Sequence, residues 1–216
     1  MNIFKTILEK EISAEIVEKK SKFIATLFFI ESEEEAEEKI KCIKKKYFDA
    51  KHNCFAYIVN NNNTINKRFS DDGEPSGTAG APMLEILEKQ GLGNVLVIVT
   101  RYFGGILLGT GGLVRAYSDA LKKALEKASI VIQEHGYEIN VELNYSDLEN
   151  FKYYCGKNGI RILNQEYLET VICKIELNDV KKSELEQQLK NQNVLGIIGI
   201  DIIRQKNISV LSNNVD

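Results

Sequence analysis

Ten of the chain's fifteen glycines and both of its prolines fall between Gly73 and Gly112. Eight of these glycines and both prolines crowd into two runs, Ser70-Asp-Asp-Gly-Glu-Pro-Ser-Gly-Thr-Ala-Gly-Ala-Pro82 and Arg101-Tyr-Phe-Gly-Gly-Ile-Leu-Leu-Gly-Thr-Gly-Gly-Leu-Val-Arg115. Glycine admits positive φ and lets a ligand or a second backbone come close, at an entropic cost that packing must offset. Asp71, Asp72, Glu74, Arg101 and Arg115 are interleaved with these glycines. Permissive backbone beside fixed charge describes a built binding surface rather than a linker.

The remaining chain is that of a folded protein. With 216 residues, 44% hydrophobic and 27% charged, it can bury the core of one large domain or of two small ones. The stretch from Met1 to Phe23 is broken by Lys5, Glu9, Lys10, Glu11, Glu15 and Glu18. It therefore has no signal-peptide core and no membrane-length apolar run, and a cytoplasmic protein with no membrane partner is expected. Cys42, Cys54, Cys155 and Cys173 form no C-x-x-C pair and read as reduced thiols. The net charge of −3 argues against a protein coated in positive potential, and no DNA specificity is expected. Through Glu134 there are 19 basic and 19 acidic residues, and from His135 onward 9 and 12. The acidity thus belongs to the C-terminal part, which could dock a basic partner, while a local basic patch remains open to the first part.

Hydrophobic periodicity divides the chain into alternating elements. Lys22–Ile30 reads as a strand, and Ser32 with Glu35 forms a capping box for a helix over Glu33–Lys46. Cys54–Val59 and Thr64–Phe69 make a hairpin through a turn at Asn60–Asn63. Pro82 suits the first position of a helix that Gly91 ends. Val95–Thr100 is continuously apolar, as in a strand covered on both faces, and leads through the second glycine run into a helix with apolar or small residues from Leu113 to Ala128. A boundary near His135 and Gly136 separates domains 1–135 and 136–216. The second reads as strand Tyr137–Leu143, helix Ser146–Asn158 with a Ser146–Glu149 capping box and Gly159 as stop, strands Ile160–Asn164 and Val171–Leu177, helix Asp179–Gln192 and strand Ile200–Gln205. That β-α-β-β-α-β order is ferredoxin-like.

The strand, glycine loop and helix from Val95 to Leu125 have the outline of a phosphate cradle. The spacing fits neither nucleotide motif. A Walker loop on Gly104 and Gly109 needs lysine after its closing glycine, but Thr110 and then Gly111 follow, and a dinucleotide fingerprint starting at Gly109 needs glycine where Val114 stands. Gly104, Gly105, Gly109, Gly111 and Gly112 read either as ligand-approach positions or as tight turns and close packing. Arg101 and Arg115 could hold an anion bidentately, or pair with Asp71, Asp72 or Glu74 and fasten the two runs together. The three acids could take a divalent cation, yet Asp and Glu in a Gly-Pro loop are commonly turn and cap residues, and no metal is assigned. His52 and Cys54, two apart on a strand, share a side and read as a half-buried structural pair, a thiolate–imidazole pair or two metal ligands, although zinc would need further ligands that are hard to find with only one other histidine, His135. Lys67 and Arg68, with Lys51, Tyr57 and Phe69 nearby, form a basic-aromatic hairpin able to meet phosphates and stack a base.

Three segments, His-Asn-Cys-Phe-Ala-Tyr (52–57) and the two glycine runs continued to Tyr117, resemble the IMPACT family, in particular its two-domain bacterial branch. The resemblance implies an α+β protein, with an N-terminal α/β domain like domain IV of elongation factor G and a ferredoxin-like C-terminal domain like its domain V. It also implies a link to translation, and it supplies no catalytic residues and no cofactor. The expected function is a regulatory factor that binds RNA, the ribosome or a ribosome-bound protein through loops 70–82 and 101–117, more a binding protein than an enzyme. The alternative is an enzyme or binding protein for a small phosphorylated or anionic ligand, with a divalent metal as an option.

Overall fold

The computed structural model describes residues 3–61, 64–190 and 195–209, and the chain divides into a unit of Phe4–Val131 and a unit from Ile132 onward together with the first residues. In the first unit, β1 (Phe4–Ile7), β2 (Glu11–Glu18), β3 (Ser21–Phe29), α1 (Glu33–Lys46), β4 (His52–Asn61), β5 (Thr64–Ser70), α2 (Gly80–Lys89), β6 (Val95–Tyr102) and α3 (Gly109–Leu125) follow in order. Strands order as β2-β3-β6-β4-β5, every neighbour antiparallel.

Alternation on the three central strands builds two cores. Phe23, Ala25 and Leu27 of β3, Cys54, Ala56 and Ile58 of β4, and Val95, Val97 and Val99 of β6 face α2 and α3. The intervening Phe28, Phe55, Tyr57, Val59, Leu96 and Ile98 face Ala36, Ile40 and Ile43 of α1. Helices on both faces explain why β6 is continuously apolar from Val95 to Val99 although its neighbours are antiparallel. Each large side chain removed from water in this way contributes about 1.5–3 kcal/mol.

Local signals set the helix ends with mixed success. Ser32 caps α1 by accepting from the Glu35 amide, and the Glu35 carboxylate reaches back to the Glu31 amide, one residue before the cap. α2 starts at Gly80, so Pro82 is its third residue, where a missing N–H still costs nothing. Gly91 ends it at φ +67°, with Leu92 N–H closing back on Leu87. α3 starts at Gly109, four residues before the first apolar position Leu113, so Gly109, Gly111 and Gly112 belong to its first turn and not to a loop. β4 continues through Asn60 and Asn61, which places the hairpin turn later than Asn60, and Asn62 and Asn63 lie outside the described residues.

The second unit contains the body of β7 (Ile130–Leu143), then α4 (Leu148–Lys157), β8 (Arg161–Tyr167), β9 (Val171–Asn178), α5 (Asp179–Lys190) and β10 (Ile197–Ser209). β7 runs without interruption through His135 and Gly136. The strands order as β10-β7-β9-β8 with antiparallel neighbours, the ferredoxin-like arrangement. Ile139, Val141, Cys173, Ile175 and Leu177 pack beneath Phe151 and Cys155 of α4 and Leu185 of α5. The Ser146–Glu149 capping box does not form. Residues Tyr145–Asp147 make a 3-10 turn instead, Asp147 takes the cap position, and Ser146 Oγ bonds the Asp147 carboxylate. Gly159 stops α4 at φ +58°. The end of the expected last helix, residues 191 and 192, lies outside the described residues.

Candidate functional site

The first glycine run closes over one end of the sheet beside β4. Asp72 and Gly73 turn the chain with φ of 43° and 86°. Asp71 caps α2 from a distance: its Oδ1 accepts from the amides of Ala79 (2.9 Å) and Gly80 (2.8 Å), and its Oδ2 from that of Gly77 (2.8 Å). Gly80 is required there, because a Cβ would lie 2.8 Å from the Ser70 carbonyl oxygen. Asp72 accepts from the Asn53 amide and from Lys44 of α1, both at 2.7 Å. Two of the three acids singled out in the sequence are thus engaged by backbone amides.

The third acid, Glu74, points inward. Its Oε1 accepts from Arg101 Nη1 at 2.7 Å and from the Tyr117 hydroxyl at 2.8 Å. All three are buried, Arg101 at 6% exposure and Glu74 at 8%. The fastening reading therefore describes Arg101, whose guanidinium also lies 5.5 Å from the Phe23 ring and 5.6 Å from that of Phe103. Its Nε is buried without a hydrogen-bond partner among the described residues. His52 stands on the other side, with Nδ1 2.9 Å from the Asp72 carbonyl oxygen and Nε2 3.9 Å from Glu74. A carbonyl can only accept, so Nδ1 carries the proton and in the neutral ring the Nε2 lone pair faces the carboxylate.

Cys54 completes this network, its Sγ lying 2.9 Å from the Asp71 carbonyl and 3.3 Å from the Tyr117 hydroxyl. Burial pushes its thiol up to about 12, outweighing the Tyr117 hydrogen bond, with the negative charge of Glu74 adding to the rise. At neutral pH it is a protonated thiol and no nucleophile. Burial likewise drives the Tyr117 phenol far above its ordinary value, which keeps it a donor to Glu74. The assembly locks loop 70–82 to β6 and α3. Among the described residues no three His, Cys, Asp or Glu side chains gather as metal ligands.

The second run presents a different surface. Phe103, Ile106 and Leu107 are 53%, 42% and 83% exposed. The loop is nonetheless anchored: Gly104 N–H donates to Ser21 Oγ at 3.1 Å, and a Cβ on Gly104 would meet the Lys20 carbonyl carbon at 2.0 Å. Gly105 and Gly109 have φ of 85° and 72°. Among the described residues no side chain caps α3, and its first turn holds no acid, so its amides and its positive dipole end are open to a ligand. Arg115 is exposed and has no carboxylate partner among the described residues. It borders a cleft of about 190 Å3 with Lys19, Leu108 and Gly112, whose rim also includes Glu18 and Asp119. Lys19 and Lys20, consecutive at φ 45° and 68°, join this surface without any turn signature that would mark them in the sequence. Lys67 and Arg68 do not join it; they pair with Glu88 of α2 and Glu37 of α1.

Fold and site together define a two-domain α+β protein, an antiparallel sheet layered between helices followed by a ferredoxin-like unit, with a buried polar clamp beneath one glycine loop and an exposed tip on the other. Residues 19–125 match the Impact N-terminal domain and residues 141–192 a domain of unknown function, DUF1949. The chain is 35% identical to the IMPACT family member YigZ of Escherichia coli, over 79% of this chain and 84% of that one. It is 34% identical to an IMPACT family member of Haemophilus influenzae, over 84% and 91%. The match to YvyE of Bacillus subtilis, 51% identical, spans 54% of each chain, about half the length of that relative. A crystal structure described as that of a hypothetical protein superposes with a TM-score of 0.63 and 30% identity, covering 94% of this chain and 98% of the other. The chain belongs to the IMPACT family, in its two-domain bacterial type. Among the described residues no helix is long and apolar enough to cross a membrane.

Proposed function

We propose that the protein is a translation-associated regulatory factor that binds ribosomal RNA through the tip formed by the second glycine run. The observation that carries this reading is the conjunction of an α3 N-terminus with Arg115, Lys19 and Lys20, which among the described residues has no side-chain cap and no carboxylate partners, and so offers backbone donors and cations to phosphate. Exposed Phe103 adds a ring on which a base can stack. Membership of the IMPACT family supports the link to translation, and that the two units are built like domains IV and V of elongation factor G is part of the same proposal. Arg101 acts here as the buried fastener that aims the loop, not as a phosphate ligand.

Co-sedimentation with purified ribosomes at graded salt tests this function. Binding is expected to weaken steeply as salt rises, and Arg115→Ala to weaken it at low salt and reduce the slope of log affinity against log salt by about one. Background sedimentation that ignores both salt and substitution would rule the reading out. A second reading rests on the cleft beside Arg115, whose 190 Å3 suits a small phosphorylated molecule. Stabilisation against heat by millimolar phosphate or sugar phosphate, lost in Arg115→Ala, would favour it.

A further inference from the structure

β8 lies at one edge of the second unit's sheet, with β9 on its inner side. Among the described residues no strand pairs with its outer side. Such an edge presents a row of unpaired N–H and C=O groups to any extended chain, and proteins commonly guard it with lysine or proline. The opposite edge, β10, carries Arg204 and Lys206. β8, Arg161-Ile-Leu-Asn-Gln-Glu-Tyr167, has neither lysine nor proline, and its Leu163 and Tyr167 are 37% and 54% exposed.

A bulge gives this strand an unusual symmetry. Ile162 pairs with Ile175 and Asn164 with Lys174, so Leu163 is an extra residue with no partner on β9. In a regular strand Arg161 and Glu166, five residues apart, would project from opposite faces. The extra residue inverts the alternation between them. Arg161 then lies beside Glu176 and Glu166 beside Ile172, both on the face away from the helices, while Ile162 and Gln165 lie beside the core residues Ile175 and Cys173.

We propose that β8 is a homodimerisation edge, on which two copies of the chain pair their β8 strands antiparallel about a two-fold axis between Leu163 and Asn164. In that register Arg161 of each copy stands opposite Glu166 of the other, and Ile162 opposite Gln165, both pairs matched in face. A slip of one residue either way sets outward residues against inward ones and breaks the match. The two-fold makes each ion pair twice, so the contact is self-complementary. Both groups have capacity for it. Arg161 is 65% exposed at the side chain and holds Glu176 at a loose 3.7 Å, and among the described residues the Glu166 carboxylate accepts only from the Asn164 side-chain amide, at 3.4 Å. Directly opposite residues stand about 4.5–5.5 Å apart at Cβ, within reach of an Arg–Glu pair. A shallow groove of about 470 Å3, bordered by Lys152, Ile162, Leu163 and Tyr167, runs beside the strand and can receive Leu163 of the second copy. One seven-residue strand makes a small interface, hence a weak and reversible dimer.

Analytical ultracentrifugation of the full chain, in a dilution series reaching about 0.5 mM, covers the range in which such an interface assembles. The unaltered chain is expected to show a reversible monomer–dimer equilibrium. Arg161→Glu and Glu166→Arg should each weaken it about tenfold or more, since either places like charges opposite one another. An equimolar mixture of the two variants should recover association to within about threefold of the unaltered chain, because every pair is then opposite in sign. The recovery also guards against misfolding, as an unfolded variant could not regain partnership by mixing, and the double variant Arg161→Glu/Glu166→Arg should self-associate on the same grounds. A monomer at every concentration overturns the proposal. So does a dimer that ignores both substitutions, or one that neither the mixture nor the double variant restores.

Discussion

One oxygen of Glu74 accepts from both Arg101 and Tyr117, in surroundings that exclude water from all three. Losing either charge strands the other, and an uncompensated buried charge costs about 3–5 kcal/mol. Glu74→Gln and Arg101→Met are each expected to lower unfolding stability by roughly that amount in urea titrations, with the double variant Glu74→Gln/Arg101→Met recovering part of the loss. An additive double variant would show that the pair does not behave as a unit. Cys54, buried and pushed up to about 12, should resist alkylation at mildly alkaline pH while exposed Cys42 reacts, as mass spectrometry of labelled peptides would record. At this scale the sequence was half legible. That Arg101 and Arg115 would either hold an anion or pair with Asp71, Asp72 or Glu74 was readable from charges interleaved with glycine; which alternative each takes was not, because it depends on the inward turn at Asp72 and Gly73 that aims Glu74 at Arg101.

Elements whose ends are set by neighbours in sequence were the readable ones. α1 is bounded by Ser32 at its start and a run of lysines at its end, both local signals, and its span is the one the residues predict. α2 is different, since its cap is Asp71, nine residues before the helix's first residue. Asp71→Ala should therefore unravel the start of α2 and destabilise the first unit by about 1–2 kcal/mol, seen as faster amide exchange at Gly77, Ala79 and Gly80. α3 begins earlier than its apolar pattern suggests because glycine-rich sequence reads as loop; a first turn of Gly, Thr, Gly, Gly is held by packing rather than by propensity. The Lys20 backbone leaves no room for a Cβ at Gly104, so Gly104→Ala should shift the 103–108 tip and lower thermal stability, whereas Gly111→Ala, in open space, should leave the fold intact. Equal melting temperatures for the two would contradict that contrast.

For the molecule as a whole, the β-α-β-β-α-β order of the second unit follows from short-range patterns, and the observed sheet order agrees with it. The order β2-β3-β6-β4-β5 of the first unit was not accessible in the same way, because it places β6 between strands some 40 to 70 residues earlier in the chain, and no local pattern encodes that register. The second unit also has its own response to acid. Hydrogen bonding from Arg204, helped by its charge and that of Lys206, holds Glu138 below its ordinary 4.5, and the Tyr137 hydroxyl does the same for Asp179 against 3.8. Both groups bind protons less readily when folded, so the stability they add is complete above those ordinary values and is lost as pH falls through the lowered ones. Amide exchange in the second unit should accelerate below about pH 4, and Arg204→Gln should flatten that dependence.

The chain has nine tyrosines and no tryptophan, and four of those phenols, on Tyr57, Tyr102, Tyr117 and Tyr137, donate to carboxylates. All four resist ionisation, Tyr102 up to about 12 through its bond to Asp49, and Tyr57 and Tyr117 chiefly through burial. The protein thus carries its own optical gauge. In an alkaline absorbance titration, these four carboxylate-bonded phenols should turn to phenolate only above the ordinary tyrosine range. The colour from Tyr117 should arrive only when the clamp beneath the glycine loop comes apart, timing the collapse of that interior without any added label.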